Sequence, residues 1–237
     1  MIDNNVVLDP NVGKLRTPES LSKKSKKTKK TKKDSFTPLT SAILILLTLV
    51  ISVSGWYAVG KYFFWSNLDM KRVNAQLEYY KQKVQADPKN TEALVDLGYT
   101  YSLKGNDGQA IQQFNQALMI DSKNFDAYYN ISLVFIKEKR FNEALEDLNK
   151  AGQLSPRDYK VPYQKGIVYR NLKMYKEATD SLNQANTLMP ANTDIIYETG
   201  MVAEAQGKKD DAINIYKQAL SYDPLYKPAI AALERLK

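Results

Sequence analysis

Tyr129, Tyr163 and Tyr197 stand 34 residues apart, among 16 tyrosines in a chain of 237 residues. Phenolic rings at a fixed interval can supply aromatic contact surface and hydroxyl hydrogen bonds, and in a catalytic setting they can move protons. The other reactive groups are carboxylates and lysines, because the sequence contains neither histidine nor cysteine. That absence excludes Ser-His-Asp and Cys-His nucleophiles, zinc fingers, His- or Cys-ligated haem, thiol redox chemistry and disulfides. What remains is carboxylate, lysine or tyrosine chemistry, hard-cation binding through oxygen, and binding without catalysis. No glycine-rich phosphate loop is present, and no carboxylate pair stands apart from the solvated helix faces. Asp69, Asp210 and Asp211 read as isolated acids of the kind that favours a helix N-terminus. Asn130-Ile131-Ser132 spells a glycosylation sequon, but inside a helical stretch. The expectation is a non-enzymatic binding protein with no catalytic residues, no cofactor and no metal site.

Charge is distributed unevenly along the chain. The formal net charge is +8. Residues 1–38 carry ten Lys/Arg against four Asp/Glu, residues 39–60 carry no charge, and residues 61–237 carry 24 against 22. The remainder is close to neutral, which argues against nucleic acid as a partner. The run Lys23-Lys24-Ser25-Lys26-Lys27-Thr28-Lys29-Lys30-Thr31-Lys32-Lys33 repels itself and offers no apolar face, so residues 1–38 are expected to be a disordered tail.

Residues 39–60 read LTSAILILLTLVISVSGWYAVG, 22 uncharged and mostly apolar residues. As a helix they would span roughly 33 Å, matching a hydrocarbon core of ~30 Å. Trp56, Tyr57, Tyr62, Phe63, Phe64 and Trp65 crowd one end like an interfacial aromatic belt, and Pro38 stands at the other. A transmembrane helix is therefore expected. Ser52 and Ser54 also fit the small residues of a signal-peptide cleavage site. The long preceding segment and the apolar character continuing to Trp65 favour a retained anchor. No cysteine follows for lipid attachment. Eight lysines precede the span closely, whereas Lys61, Lys71 and Arg72 are the nearest basic residues after it. The positive-inside rule then puts the tail in the cytoplasm and the rest of a single-pass cell-membrane protein outside it. The lysines can also meet anionic lipid headgroups.

The remaining chain repeats with a period of 34. Gly98, Ser132, Gly166 and Gly200 form one small-residue column. Ala110, Ala144, Ala178 and Ala212 form a second, and Ala117, Ala151, Ala185 and Ala219 a third. Three large columns accompany them: Leu94, Tyr128, Pro162 and Ile196; Tyr101, Phe135, Tyr169 and Ala203; Phe114, Leu148, Leu182 and Tyr216. Pro156, Pro190 and Pro224 recur near the unit ends, with Ser122 in the same register. Small residues at unit positions 8, 20 and 27 would let two helices approach, and large residues at 4, 11 and 24 would fill the layer between them. This pattern resembles the tetratricopeptide repeat (TPR), a helix–turn–helix solenoid. The departures are Ser122 for proline, Pro162 in a first helical turn and Ala203 for an aromatic. The resemblance implies an all-α, right-handed α-solenoid of four helix pairs at 91–124, 125–158, 159–192 and 193–226. Residues 61–90 would hold a juxtamembrane stretch and a leading helix over 68–86. Residues 227–237 would form a closing helix with Ile230 and Leu233 at its apolar positions.

In that family, positions 2, 5, 9, 12 and 13 of each first helix line the concave groove. The corresponding candidates for a partner-binding groove are Tyr99, Tyr129, Leu133, Tyr163, Ile167, Arg170, Tyr197 and Met201, with Glu92, Asp126, Lys160 and Asp194 at the rim. The implied partner is an extended peptide or a helix of another protein. The carboxylate clamp of some members is not expected, since only Asn130 and Lys160 match among Val95, Tyr99, Asn130, Lys160 and Gln164. Gln113 and Asp147 are placed on the outer face. An interaction scaffold in bacterial envelope assembly or secretion fits this architecture. The alternatives are a self-associating subunit of a membrane complex and a cytosol-facing receptor for precursor proteins on an organelle.

Overall fold

The structure, a computed structural model, describes residues 66–237, with side chains from Met70 onward. Ten helices and no strand occur among the described residues. They are α1 (Ser66–Ala86), α2 (Thr91–Leu103), α3 (Asp107–Ile120), α4 (Phe125–Lys137) and α5 (Phe141–Leu154). Then follow α6 (Lys160–Asn171), α7 (Tyr175–Leu188), α8 (Thr193–Ala205), α9 (Lys209–Tyr222) and α10 (Lys227–Arg235). These are the expected leading helix, four pairs and closing helix. Each helix packs on its chain neighbours, while α2 also meets α4 and α6 also meets α8. The span at 39–60 and the lysine run at 23–33 lie outside the described residues. Among the described residues no helix is long and apolar enough to cross a membrane.

Closure of each pair depends on missing side-chain volume. A Cβ on Gly98 would lie 2.6 Å from the Phe114 ring, one on Gly166 2.6 Å from Leu182, and one on Gly200 2.5 Å from Tyr216. Position 8 is thus the seat of the large residue at position 24, and Phe114, Leu148, Leu182 and Tyr216 are all fully buried. In the second unit Ser132 fills the seat, fully buried, and its hydroxyl donates to the Tyr129 carbonyl at 2.6 Å. All eight alanines of positions 20 and 27 have no exposed surface.

Turns repeat as faithfully as the core. Asn90, Asn124 and Asn192 cap the first helices by accepting from the backbone N–H of Ala93 (2.9 Å), Ala127 (2.9 Å) and Ile195 (3.1 Å). The third unit departs: Asp158, in the same register, accepts from the N–H of Lys160 at 2.8 Å, and Tyr159 at the helix start makes no side-chain cap. At the turn between paired helices the same position is left-handed in every unit: Gly105 and Gly207 supply it without cost, Lys139 and Lys173 at φ 61°.

Several expectations need correction. The Tyr101, Phe135 and Tyr169 column is only half-buried, because it lies at the edge of the layer. Ala93, Ala127, Val161 and Ile195, and Thr100, Val134, Val168 and Val202, are buried in its stead. In α10 the fully covered residues are Ala229 and Ala232, with Ile230 and Leu233 half-buried beside them. Asp147 is not an outer-face residue. It is buried next to Leu148 with its carboxylate 3.1 Å from Lys150 Nζ, and burial raises its pKa. As expected, Pro162 occupies the first turn of α6, where its missing N–H is harmless.

Replacing Gly166 with Val, or Ala178 with Leu, inserts carbon where a neighbour already stands. Each substitution should destabilise the protein by roughly 1–3 kcal/mol in denaturant titration. Neutral behaviour of both would mean that the helices of the third pair do not close in this register.

Candidate functional site

The first helices of successive units present one continuous face, and the two halves of that face differ. In the N-terminal half, an open recess of about 490 Å³ lies between α2 and α4 and reaches Lys160 at the start of α6. Val95 and Tyr129 form its floor, and Tyr99 stands over it with half of its surface exposed. Glu92, Asp96 and Asp126 bring three carboxylates to the recess against the single cation of Lys160. Burial raises the Asp96 carboxyl pKa, while the Tyr80 hydroxyl of α1 pulls it back.

The C-terminal half is occupied by its own side chains. Arg170 Nε donates to the Glu198 carboxylate, joining α6 to α8. Glu198 is 5 % exposed. Burial raises its pKa and Arg170 opposes that rise. Further along, Arg235 of α10 donates to Glu204 at 2.8 Å, and the Tyr216 hydroxyl donates to the same carboxylate at 2.7 Å. The Tyr226 hydroxyl donates to Asp194. Tyr197 lies between the rings of Tyr216 and Tyr226, with centroids 5.5 and 5.7 Å away.

The expected groove residues divide between these two halves. Tyr99 is exposed, and Tyr129, Tyr163 and Tyr197 are half-buried against three different core clusters. Tyr129 stacks on Phe125 with centroids 5.7 Å apart and planes 9° from parallel. Burial raises the pKa of all three half-buried phenols, and Glu198 adds to the rise at Tyr163. Leu133, Ile167 and Met201 are half-buried, and Arg170 is committed to Glu198. The recess therefore gathers Tyr99 and Tyr129 but not Tyr163, Tyr197 or Arg170. Position 6 holds Asp96, Asn130, Gln164 and Glu198; the sequence reading weighs it only in the clamp, yet Asp96 and Asn130 line the recess. Its signal is four polar residues one step beyond the tyrosine column. Among the described residues no cluster of carboxylates could hold a metal ion.

The Arg170–Glu198 pair makes a sharp test of this division. Arg170→Met leaves a buried carboxylate without its cation and should cost roughly 1–3 kcal/mol. Arg170→Met with Glu198→Leu should recover most of that loss, since both polar partners are gone. The single variant also has a signed pH dependence. Without Arg170 the folded pKa of Glu198 rises further above the ordinary 4.5, so the folded state holds a proton that the unfolded state releases. Its deficit should shrink as pH falls from neutrality towards that ordinary value. A deficit that grows on acidification contradicts the burial of Glu198.

Comparison with known proteins agrees with the geometry. A tetratricopeptide repeat family model matches residues 91–124, 125–158, 160–192 and 193–224. No curated protein sequence matches the chain. Among solved structures, TTC0263, a thermophilic TPR protein of Thermus thermophilus, is similar at TM-score 0.62 and 21% identity, over 72% of this chain and 93% of its own. MamA is similar at TM-score 0.58 and 23% identity, over 67% and 93%. YrrB, described as a TPR protein with an unusual peptide-binding site, is similar at TM-score 0.57 and 22% identity, over 70% and 86%. At these identities the likeness is one of fold. With four matched repeats over more than half of its length, the chain belongs to the tetratricopeptide repeat family.

Proposed function

We propose that the protein is a non-catalytic, membrane-anchored scaffold that captures an extended segment of another protein in the recess between α2 and α4. The observation that carries this reading is the asymmetry of the inner face. Its C-terminal half is filled by Arg170–Glu198, Tyr226–Asp194 and Arg235–Glu204, whereas its N-terminal half is open with Tyr99 presented. An exposed ring beside an apolar floor suits an apolar anchor residue, and the excess of carboxylates suits a basic neighbour on the same peptide. The peptide-binding site named for YrrB is a parallel at the level of fold.

Anchoring rests on the apolar stretch 39–60, and orientation on the lysines before it. In this proposal residues 23–33 face the cytoplasm beside anionic lipid, and the repeats work on the far side of the membrane in envelope assembly or secretion.

Peptides selected by the full chain from a random library should lose about tenfold in affinity, near 1.4 kcal/mol, on Tyr99→Ala, with the melting temperature unchanged. Tyr197→Ala should lower the melting temperature and alter peptide affinity only as folding falls. If Tyr99→Ala is neutral for every selected peptide, the recess is not the site. Topology is tested separately: protease added to intact spheroplasts should digest the repeats and spare the lysine run, and protected repeats would refute the orientation.

A further inference from the structure

On the face opposite the groove, the junction between the second and third units departs from its counterparts. Position 28 of one unit and position 7 of the next hold Leu118 and Ile131 at the first junction, and Leu220 and Leu233 at the last. All four belong to or pack on buried apolar clusters. At the third junction they hold the neutral polar pair Asn186 and Thr199, and at the second Gly152 and Lys165, the one charged residue among these eight. A Cβ added to Gly152 would lie 3.2 Å from Val161 Cγ1 and 4.0 Å from Lys165 Nζ, so the bare backbone leaves a shallow notch beside both side chains. That notch opens into a cavity of about 350 Å³ lined by Asn149, Gln153, Gln184, Ser155 and Asp158. Lys165 is half-buried and makes no ion pair among the described residues. Burial lowers its pKa, with no neighbouring carboxylate to counter the shift. Asp158, the one carboxylate in the lining, is engaged with the N–H of Lys160.

A cation set into a packed junction without a counter-charge has lost part of its hydration and gained nothing in exchange. An incoming anion would supply what is missing. One ammonium and three neutral amides match a single negative charge with two acceptor oxygens. A dianionic phosphate would call for more cations and would meet Asp158 at the rim.

We propose that the notch between α5 and α6 binds one carboxylate group, with Lys165 Nζ as its cation and the Asn149, Gln153 and Gln184 amides as its neutral donors. The carboxylate comes either from a free small acid or from a Glu or Asp side chain of a docked segment. This site is independent of the recess between α2 and α4.

The test is residue-resolved amine labelling of the full chain by an activated ester at neutral pH, read by peptide mass spectrometry. Acetate, glutarate, a short peptide with one central Glu, phosphate and chloride are compared at equal ionic strength. A ligand at about twice its dissociation constant leaves one-third of the sites free, so labelling of Lys165 should slow roughly threefold. Labelling of exposed Lys173 and Lys176 should not change. Protection by acetate and glutarate assigns a free acid, and protection by the Glu peptide alone assigns a protein side chain. Either result sustains the proposal, and Asn149→Leu with Gln184→Leu should then weaken the protection. Equal slowing by chloride, no slowing by any carboxylate, or protection by phosphate at lower concentration than the carboxylates overturns it.

Discussion

Everything in this molecule depends on one steric fact: the first helix of each pair carries almost no side chain where the second places its largest. Phe114, Leu182 and Tyr216 rest on the bare backbone of Gly98, Gly166 and Gly200 at distances that leave no room for a methyl group. That contact fixes the separation and rotation of the pair, and the alanines of positions 20 and 27 hold it on the other side. Because the same volume relation recurs every 34 residues, each pair presents an equivalent edge to the next, and a solenoid follows from nearest-neighbour packing alone. The inner face is a by-product of this stacking. Residues at positions 2 and 9 are the freer ones on that face, whereas position 5 packs its inner edge on the core clusters and Glu198 at position 6 is held in a buried ion pair.

The fold was legible because volume is a property of residue type. Glycine, alanine and large apolar residues at fixed spacing state which helix faces meet, and the four pairs occur where that spacing puts them. Other parts were less readable. Alanine, valine and threonine at positions 3 and 10 are buried, yet taken singly they look like ordinary helix formers. Aromatics at position 11 are conspicuous in the sequence, yet they stand at the edge of the layer whose centre Phe114 and Tyr216 fill. Asp147 shows the limit most clearly. A carboxylate in an amphipathic helix reads as solvated, and only the three-dimensional arrangement reveals that Asp147 is buried with Lys150 paired to it.

The candidate site was legible as a face but not as a location. The tyrosine column marked the inner surface, and periodicity made its members look equivalent. They differ because of what stands across from them. Glu198 takes up Arg170 in one unit, whereas Asp96 and Asn130 at the same position leave space in the others. Pairings of this kind join residues 28 to 32 positions apart, and no repeat pattern announces them. The same blindness hid Lys165, whose meaning depends on Gly152 across the junction.

The ties on the inner face also have a mechanical consequence. A stacked helical array behaves as an elastic rod, and a crosslink on its inner side resists straightening wherever it spans two units. Arg170–Glu198, Tyr226–Asp194 and Arg235–Glu204 place such crosslinks at the third, fourth and closing elements. Between α2 and α4 the inner face carries an open recess in place of a tie. The first two units are tied elsewhere, by Lys137 and Asp107 at 2.8 Å, so a change of curvature there can alter the width of the recess without breaking a crosslink on the inner face itself.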